Sequence, residues 1–221
     1  MLTFNILTIF PEMFESFLNT SLIKRAQKKK LLEINLINLR DFTIDKHRSV
    51  DDSPFGGGPG MVLKVEPISK ALESLGNKKG HVILLTPQGK RFEQKKAKSL
   101  SKKKIITLIC GHYEGFDERI RKYLVDEQIS IGDYVLTGGE IPACVLIDSI
   151  GRLVKGVVGK RESITEESFD IKGKKLLEYP QYTRPEIFKP NSKREWKVPK
   201  VLLSGDHKKV EEWREKHARE V

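Results

Sequence analysis

Three short stretches of this chain put small residues and polar groups where a ligand could be held. They are Thr86-Pro87-Gln88-Gly89, Cys110-Gly111-His112-Tyr113-Glu114-Gly115, and the longer run from Ile131 to Glu140, which contains Gly132, Gly138 and Gly139. Each follows a short apolar segment that reads as a strand. One glycine turn after a strand is ordinary βα chemistry. Three in succession suggest a common pocket walled by backbone N–H and C=O groups, suited to a flat ligand such as adenine, whose edge offers donors and acceptors. A fourth stretch, Pro54-Phe55-Gly56-Gly57-Gly58-Pro59-Gly60-Met61, has four glycines among five residues from Gly56 to Gly60. Such a run reaches positive φ without penalty and lets backbone approach a ligand closely. It is neither a phosphate-binding Walker loop, which needs a Gly-Lys-Ser/Thr ending, nor a dinucleotide fingerprint, which needs a strand before it. A flexible hinge is the competing reading.

Single side chains leave alternatives open. His112 has the chemistry of a general acid or base, and equally that of a hydrogen-bonding loop residue. Glu114 and Glu140 are suited to a hard cation, but neither belongs to a cluster with ligand spacing. Tyr179, Tyr182 and Trp196 stand among basic residues, where they either stack on bases or cover a small core. Cys110 and Cys144 show no CxxC or zinc spacing and read as two reduced thiols.

The elements that must position these residues follow from periodicity. Leu2 to Phe10 reads as a strand, with Pro11 opening a helical run to about Lys29. Leu31 to Leu39 is a second strand, and Arg40 to Gly60 is a polar connection too long for a simple turn. Then helices over Val65–Leu75, Phe92–Leu100, Phe116–Leu124 and Glu140–Ile150 alternate with strands over His81–Leu85, Ile105–Ile109 and Gln128–Ile131. Short apolar strands alternating with helices specify an α/β domain with a parallel sheet covered on both faces. Ligands of such sheets collect at the carboxyl ends of the strands, where the three turns fall. From Lys155 to Val198 the periodicity is poor. Val201, Leu202 and Leu203 and an amphipathic helix around Trp213 end the chain.

Charge narrows the partner. The 221 residues carry 41 Lys and Arg against 30 Asp and Glu, a net +11. Residues 151–221 hold 18 basic and 12 acidic side chains, and 171–200 alone hold 9 against 3. A surplus concentrated in one poorly periodic segment suits a polyanion, since Lys and Arg release counterions condensed on phosphates. The competing reading is a general solubility device. The amino terminus lacks a basic n-region, and no window approaches the length needed to span a bilayer. The expected setting is the cytoplasm, with no membrane partner.

Taken together the motifs resemble one family, the bacterial tRNA (guanine-N1)-methyltransferases of the knotted SPOUT superfamily. The matching runs, in order, are IFPEMF (Ile9 to Phe14), HRSVDDSPFGGGPGM (His47 to Met61), LTPQG, CGHYEGFDER, SIGDYVLTGGE and YTRPE (Tyr182 to Glu186). They span nearly the whole chain.

The resemblance implies a parallel α/β sheet with a deep trefoil knot over residues 1–155, an interdomain linker at 156–170 and a small, mainly helical tRNA-binding domain at 171–221. It implies S-adenosyl-L-methionine bound by Leu85, Thr86, Pro87, Gly111, Tyr113, Glu114, Ile131, Gly132, Asp133, Tyr134, Val135, Leu136, Gly138, Gly139 and Pro142. Gly58, Pro59 and Gly60 fall to the RNA substrate, and Glu114 to a magnesium ion. The implied reaction methylates N1 of the guanosine at tRNA position 37, 3′ of the anticodon, in a homodimer whose active sites are composite. Guanine N1 carries a proton at neutral pH, so a base must remove it and a cation near O6 must stabilise the resulting charge. The family's Arg maps to Arg152. Its Asp maps to Glu167 in the run Glu166-Glu167-Ser168-Phe169, with Asp170 as the neighbouring candidate. The family also continues with helical sequence beyond the Trp213-Arg214 helix, so a chain ending at Val221 is expected to make fewer tRNA contacts. Competing readings are a knotted methyltransferase acting on another RNA atom, such as a ribose 2′-oxygen, and an RNA-binding module with impaired catalysis. A dinucleotide-dependent oxidoreductase lacks its glycine signature after the first strand.

Overall fold

The structure is a computed structural model that describes residues 1–159, 168–169, 176–191 and 193–220. The chain divides into two compact units, residues 1–159 and 160–221.

Five strands form the central sheet of the first unit: β1 (Leu2–Thr8), β2 (Leu32–Asn38), β5 (His81–Arg91), β6 (Ile105–Ile109) and β7 (Glu127–Ser130), in the order β2-β1-β6-β5-β7. All neighbouring pairs are parallel. Alternation along the strands builds two cores, because successive side chains leave opposite faces of a sheet. Phe4, Ile6, Ile83, Ile106 and Leu108 join one cluster, while Leu7, Val82, Leu84 and Ile109 join the other. Helices α2 (Ser21–Lys28), α4 (Gln94–Leu100) and α6 (Glu140–Gly151) contribute Ile23, Ala97, Leu146, Ile147 and Ile150 to the first cluster. Helices α3 (Val65–Leu75) and α5 (Glu118–Tyr123) contribute Ile68, Leu72 and Ile120 to the second. Both faces are therefore covered, and the mixed α/β fold with a parallel sheet agrees with the sequence pattern. The short α1 (Glu15–Leu18) follows a 3-10 turn at Pro11–Phe14, which breaks the single helical run expected to Lys29.

The long polar connection is anchored at both ends. Its two-residue strand β3 (Asp51–Asp52) pairs antiparallel with β4 (Val62–Leu63), so the glycine run is the tip of a hairpin. Strand β4 is held in turn by the segment after β6: Leu63 N donates to Gly115 O at 2.9 Å, and Asp117 N donates to Leu63 O at 3.1 Å.

Within the second unit, β9 (Ile187–Asn191) and β10 (Arg194–Lys197) form an antiparallel hairpin, and β8 (Leu176–Leu177) pairs with β11 (Arg219–Glu220). Helices α7 (Lys200–Leu203) and α8 (His207–His217) complete its described elements. Asp206 caps α8, its carboxylate accepting from Lys209 N at 3.2 Å, a side-chain oxygen replacing a helical acceptor that the first turn lacks. No helix among the described residues is long and apolar enough to cross a membrane.

Candidate functional site

Strands β6, β5 and β7 are neighbours and leave the sheet at the same edge, so their turns converge. The first turn is a bulge. Ile129 of β7 faces both Leu85 and Lys90 of β5, and the four residues Thr86–Gly89 are pushed out between them. Gly89 permits this because a side chain there would collide with the backbone at Ile129. The third turn crosses the second at backbone distance. A side-chain carbon at Gly139 would lie 2.6 Å from Cys110 Cα and 2.6 Å from Gly111 N. Instead Gly139 N donates to Gly111 O at 2.9 Å.

Between the three turns lies a cleft of about 280 Å³. Its walls include Leu85, Thr86 and Pro87 of the first turn, Gly111, Tyr113 and Glu114 of the second, and Ile131, Gly132, Tyr134, Val135, Leu136, Gly138, Gly139 and Pro142 around the third. The residues expected to meet the donor are thus brought together, apart from Asp133. That side chain is 88% exposed and pairs with Arg91 at 3.6 Å, away from the lining. Tyr113 adopts φ +58° although it has a side chain, an uncommon backbone state that the surrounding contacts must enforce. Gln88 and Thr137, inside the turns that their glycines single out, also line the cleft, as do Phe116 and Arg121, which the sequence does not point to. Nothing in the sequence separates Arg121 from the Lys122 beside it; only the packing of α5 does.

His112 and Glu140 resolve into a structural clamp. Glu140, the first residue of α6, is 1% exposed. Its Oε1 accepts from Thr8 Oγ1 at 2.6 Å, and its Oε2 lies 2.7 Å from His112 Nε2. Placement at a helix N-terminus adds the favourable dipole. The clamp joins the end of β1, the second turn and the start of α6, and it commits Glu140 to two protein partners rather than to a metal. Among the described residues no group of three His, Cys, Asp or Glu side chains could hold a metal ion. Both cysteines are free. Burial, then Glu140, pushes the Cys144 thiol up to about 11, and the fully buried Cys110 is raised strongly for the same reasons. Neither supplies a thiolate nucleophile at neutral pH.

The glycine-rich tip adjoins this site. Gly56, Gly57, Gly58 and Gly60 all have positive φ. A side-chain carbon at Gly60 would meet Glu114 Cγ and Oε1 at 2.5 Å, and Glu114 N donates to Met61 O at 2.9 Å. Gly58 and Pro59 are exposed at the tip. Arg152 is not in the lining: it caps the C-terminal end of α6, whereas Gly139 and Pro142 lie at its N-terminal end. Twelve helical residues at 1.5 Å each separate the two ends by about 18 Å. Glu167 and Asp170 lie outside the described residues.

In the second unit, Tyr182 packs edge-on against Trp213 with centroids 6.3 Å apart, and Arg214 lies 4.9 Å from the Tyr179 ring. These two tyrosines cover α8. Trp196 pairs with Phe188 at 5.6 Å, and the two are 60% and 49% exposed.

A family model, tRNA (Guanine-1)-methyltransferase TrmD, matches residues 2–221. The chain is 56% identical over 214 residues to the tRNA (guanine-N(1)-)-methyltransferase of Carboxydothermus hydrogenoformans, covering 97% of this chain and 81% of that protein. It is 58% identical over 210 residues to the protein of the same name from Mycoplasmopsis synoviae, covering 95% and 88%. The corresponding protein of Staphylococcus epidermidis is 54% identical over 209 residues, covering 94% and 82%. With a family match along almost its whole length, the chain belongs to the tRNA (guanine-1)-methyltransferase family.

Proposed function

We propose that the chain transfers a methyl group from S-adenosyl-L-methionine to N1 of the guanosine at position 37 of tRNA in the cytoplasm, giving N1-methylguanosine and helping to hold the reading frame. Beyond family membership, the observation that carries this reading is the cleft at the carboxyl edge of β6, β5 and β7. Its glycines expose backbone donors and acceptors, and its Leu85, Ile131 and Leu136 supply apolar walls, the combination a purine needs. The bound donor supplies an electrophilic methyl on a sulfonium. The crossing of Gly139 over Gly111 supports a knotted chain path.

Residues of this chain do the rest. The three turns hold the donor so that its methyl meets guanine N1 in line, and positioning of this kind provides a large share of rate enhancement. Glu167, with Asp170 as the alternative, takes the N1 proton. Arg152 stabilises the charge that develops on guanine O6. Because Arg152 sits some 18 Å along α6 from the cleft of its own chain, it serves a cleft on a second copy. Two α6 helices paired antiparallel about a two-fold axis bring the C-terminal end of each beside the N-terminal end of the other. Exposed Ile141 and Val145, 53% and 38% accessible on α6, are the apolar surface such a homodimer needs. Gly58, Pro59 and Gly60 close over the target base beside Glu114. Residues 171–221, with their basic surplus and the exposed Phe188–Trp196 pair, contact the tRNA beyond a linker at 156–170. A magnesium ion, if one takes part, would be held by Glu114, the carboxylate of the cleft, which belongs to no three-ligand group among the described residues.

The test is mass-spectrometric mapping of the methyl group after incubation with a tRNA carrying guanines at positions 36 and 37. The parent should modify N1 of the second, Glu167→Asp should retain part of the activity, and Glu167→Gln should lose nearly all. A methyl group on any other atom sinks the proposed reaction. A dead Asp170→Asn beside an active Glu167→Gln moves the base to Asp170.

A further inference from the structure

Among the described residues one guanidinium lines the cleft, and one of its nitrogens lacks a hydrogen-bond partner. Arg121 on α5 is the single Lys or Arg among the described lining residues, and its side chain is 15% exposed. Nη2 donates to Thr86 Oγ1 at 3.2 Å. Nε is buried without a hydrogen-bond partner among the described residues, 3.7 Å from a Glu118 carboxylate that is itself 79% exposed. That separation is too long for a hydrogen bond. A guanidinium offers five N–H donors in a rigid fork shaped for a planar oxyanion. Holding one mostly out of water with its Nε–H unpartnered is unfavourable, and an anionic acceptor in the cleft would relieve the deficit.

We infer that Arg121 binds the carboxylate at the amino-acid end of the methyl donor, an inference that rests on the S-adenosyl-L-methionine reading above. That molecule carries two cationic groups, a sulfonium and an ammonium, and one anionic group. Only the carboxylate is attracted to a guanidinium. Arg121 therefore fixes which way round the donor lies, with the amino-acid end toward Thr86 and α5 and the neutral purine toward the backbone-lined third turn. Glu114, the acidic residue of the described lining, favours the ammonium and disfavours the carboxylate, which sharpens the same orientation. Arg121 acts as a binding residue for the donor and takes no part in proton transfer.

The test is calorimetric titration of the intact chain with S-adenosyl-L-methionine and with its decarboxylated form, for the parent, Arg121→Gln and Arg121→Lys. Removing a charge-assisted hydrogen bond should weaken the carboxylate-bearing donor by roughly ten- to hundredfold. The decarboxylated form should bind Arg121→Gln within about twofold of the parent, and Arg121→Lys should recover part of the loss. Equal losses for both ligands in Arg121→Gln assign Arg121 to scaffolding through Thr86 and overturn the inference. Unchanged binding of both overturns it as well. A parent that binds neither ligand refutes the donor assignment itself, a result distinct from either.

Discussion

Replacing Gly139 by Ala separates two reasons for a glycine. Its φ of −86° and ψ of −5° are open to any L-residue, so the change costs no backbone strain. The penalty is purely one of space: the new carbon meets Cys110 Cα at 2.6 Å and Gly111 N at 2.6 Å, and both neighbours are backbone. They can yield only by moving the second turn away from the third, which lengthens the 2.9 Å bond from Gly139 N to Gly111 O. Overpacking of this type costs about 1–3 kcal/mol, and a weakened buried hydrogen bond adds about 1 kcal/mol. A loss of about 2–4 kcal/mol is expected, together with weaker donor binding because both turns line the cleft. Urea denaturation should be followed by far-UV ellipticity rather than tryptophan emission, since Trp196 and Trp213 both belong to the second unit. Gly159→Ala is the control: it is exposed, with no described residue within 4 Å of the added carbon, and the change should fall within about 0.5 kcal/mol. If Gly139→Ala matches the parent in urea midpoint and in donor affinity, the crossing is not the constraint described.

Thr8→Val keeps the shape of the side chain but removes a donor from the buried carboxylate of Glu140. Leaving that acceptor short should cost about 1–3 kcal/mol in urea denaturation; parental stability would mean that His112 alone satisfies Glu140. Glu127 should give a pH signature. Burial raises its pKa, but hydrogen bonds from Lys96 and His81 more than offset that, and the net shift is downward. A carboxylate with a depressed native pKa contributes stability that is complete above its unfolded pKa and lost as pH falls through the native value. Glu127→Gln should therefore be less stable than the parent at pH 7, with the gap closing below about pH 4. A gap that stays constant down to pH 3 refutes the ion-pair origin.

Much of the scaffold was legible because local pattern and tertiary structure agree. Val65–Leu75 has apolar residues at helical spacing, and Ile105–Ile109 is a short apolar run; both form elements with those bounds. The glycines of the three turns announce the cleft for the same reason, since a close crossing admits no side chain. Other features depend on residues remote in sequence. Thr86–Gly89 reads as the end of a strand, but β5 resumes at Lys90 because Ile129 remains available as its partner. The hairpin of β9 and β10 carries no alternating burial signal, since every residue of both strands is exposed. Glu140 has the composition of a metal ligand until Thr8, 132 residues away, is brought against it. Arg121 gains its meaning only from Thr86, 35 residues earlier.

The three turns also bear on how the protein holds together. Residues 86–89, 110–116 and 131–139 are connections, the parts of an α/β unit that open most readily in local fluctuations. The second and third are tied by the Gly139–Gly111 bond and the Glu140 clamp, and the first is held by the bond from Arg121 to Thr86. A molecule seated among them acts as a removable brace across three separate segments, and it binds only when all three are assembled. Donor at a hundred times its dissociation constant would stabilise the first unit by about 2.7 kcal/mol. The abundance of intact enzyme in a cell would then follow the supply of methyl donor, even before any tRNA is met.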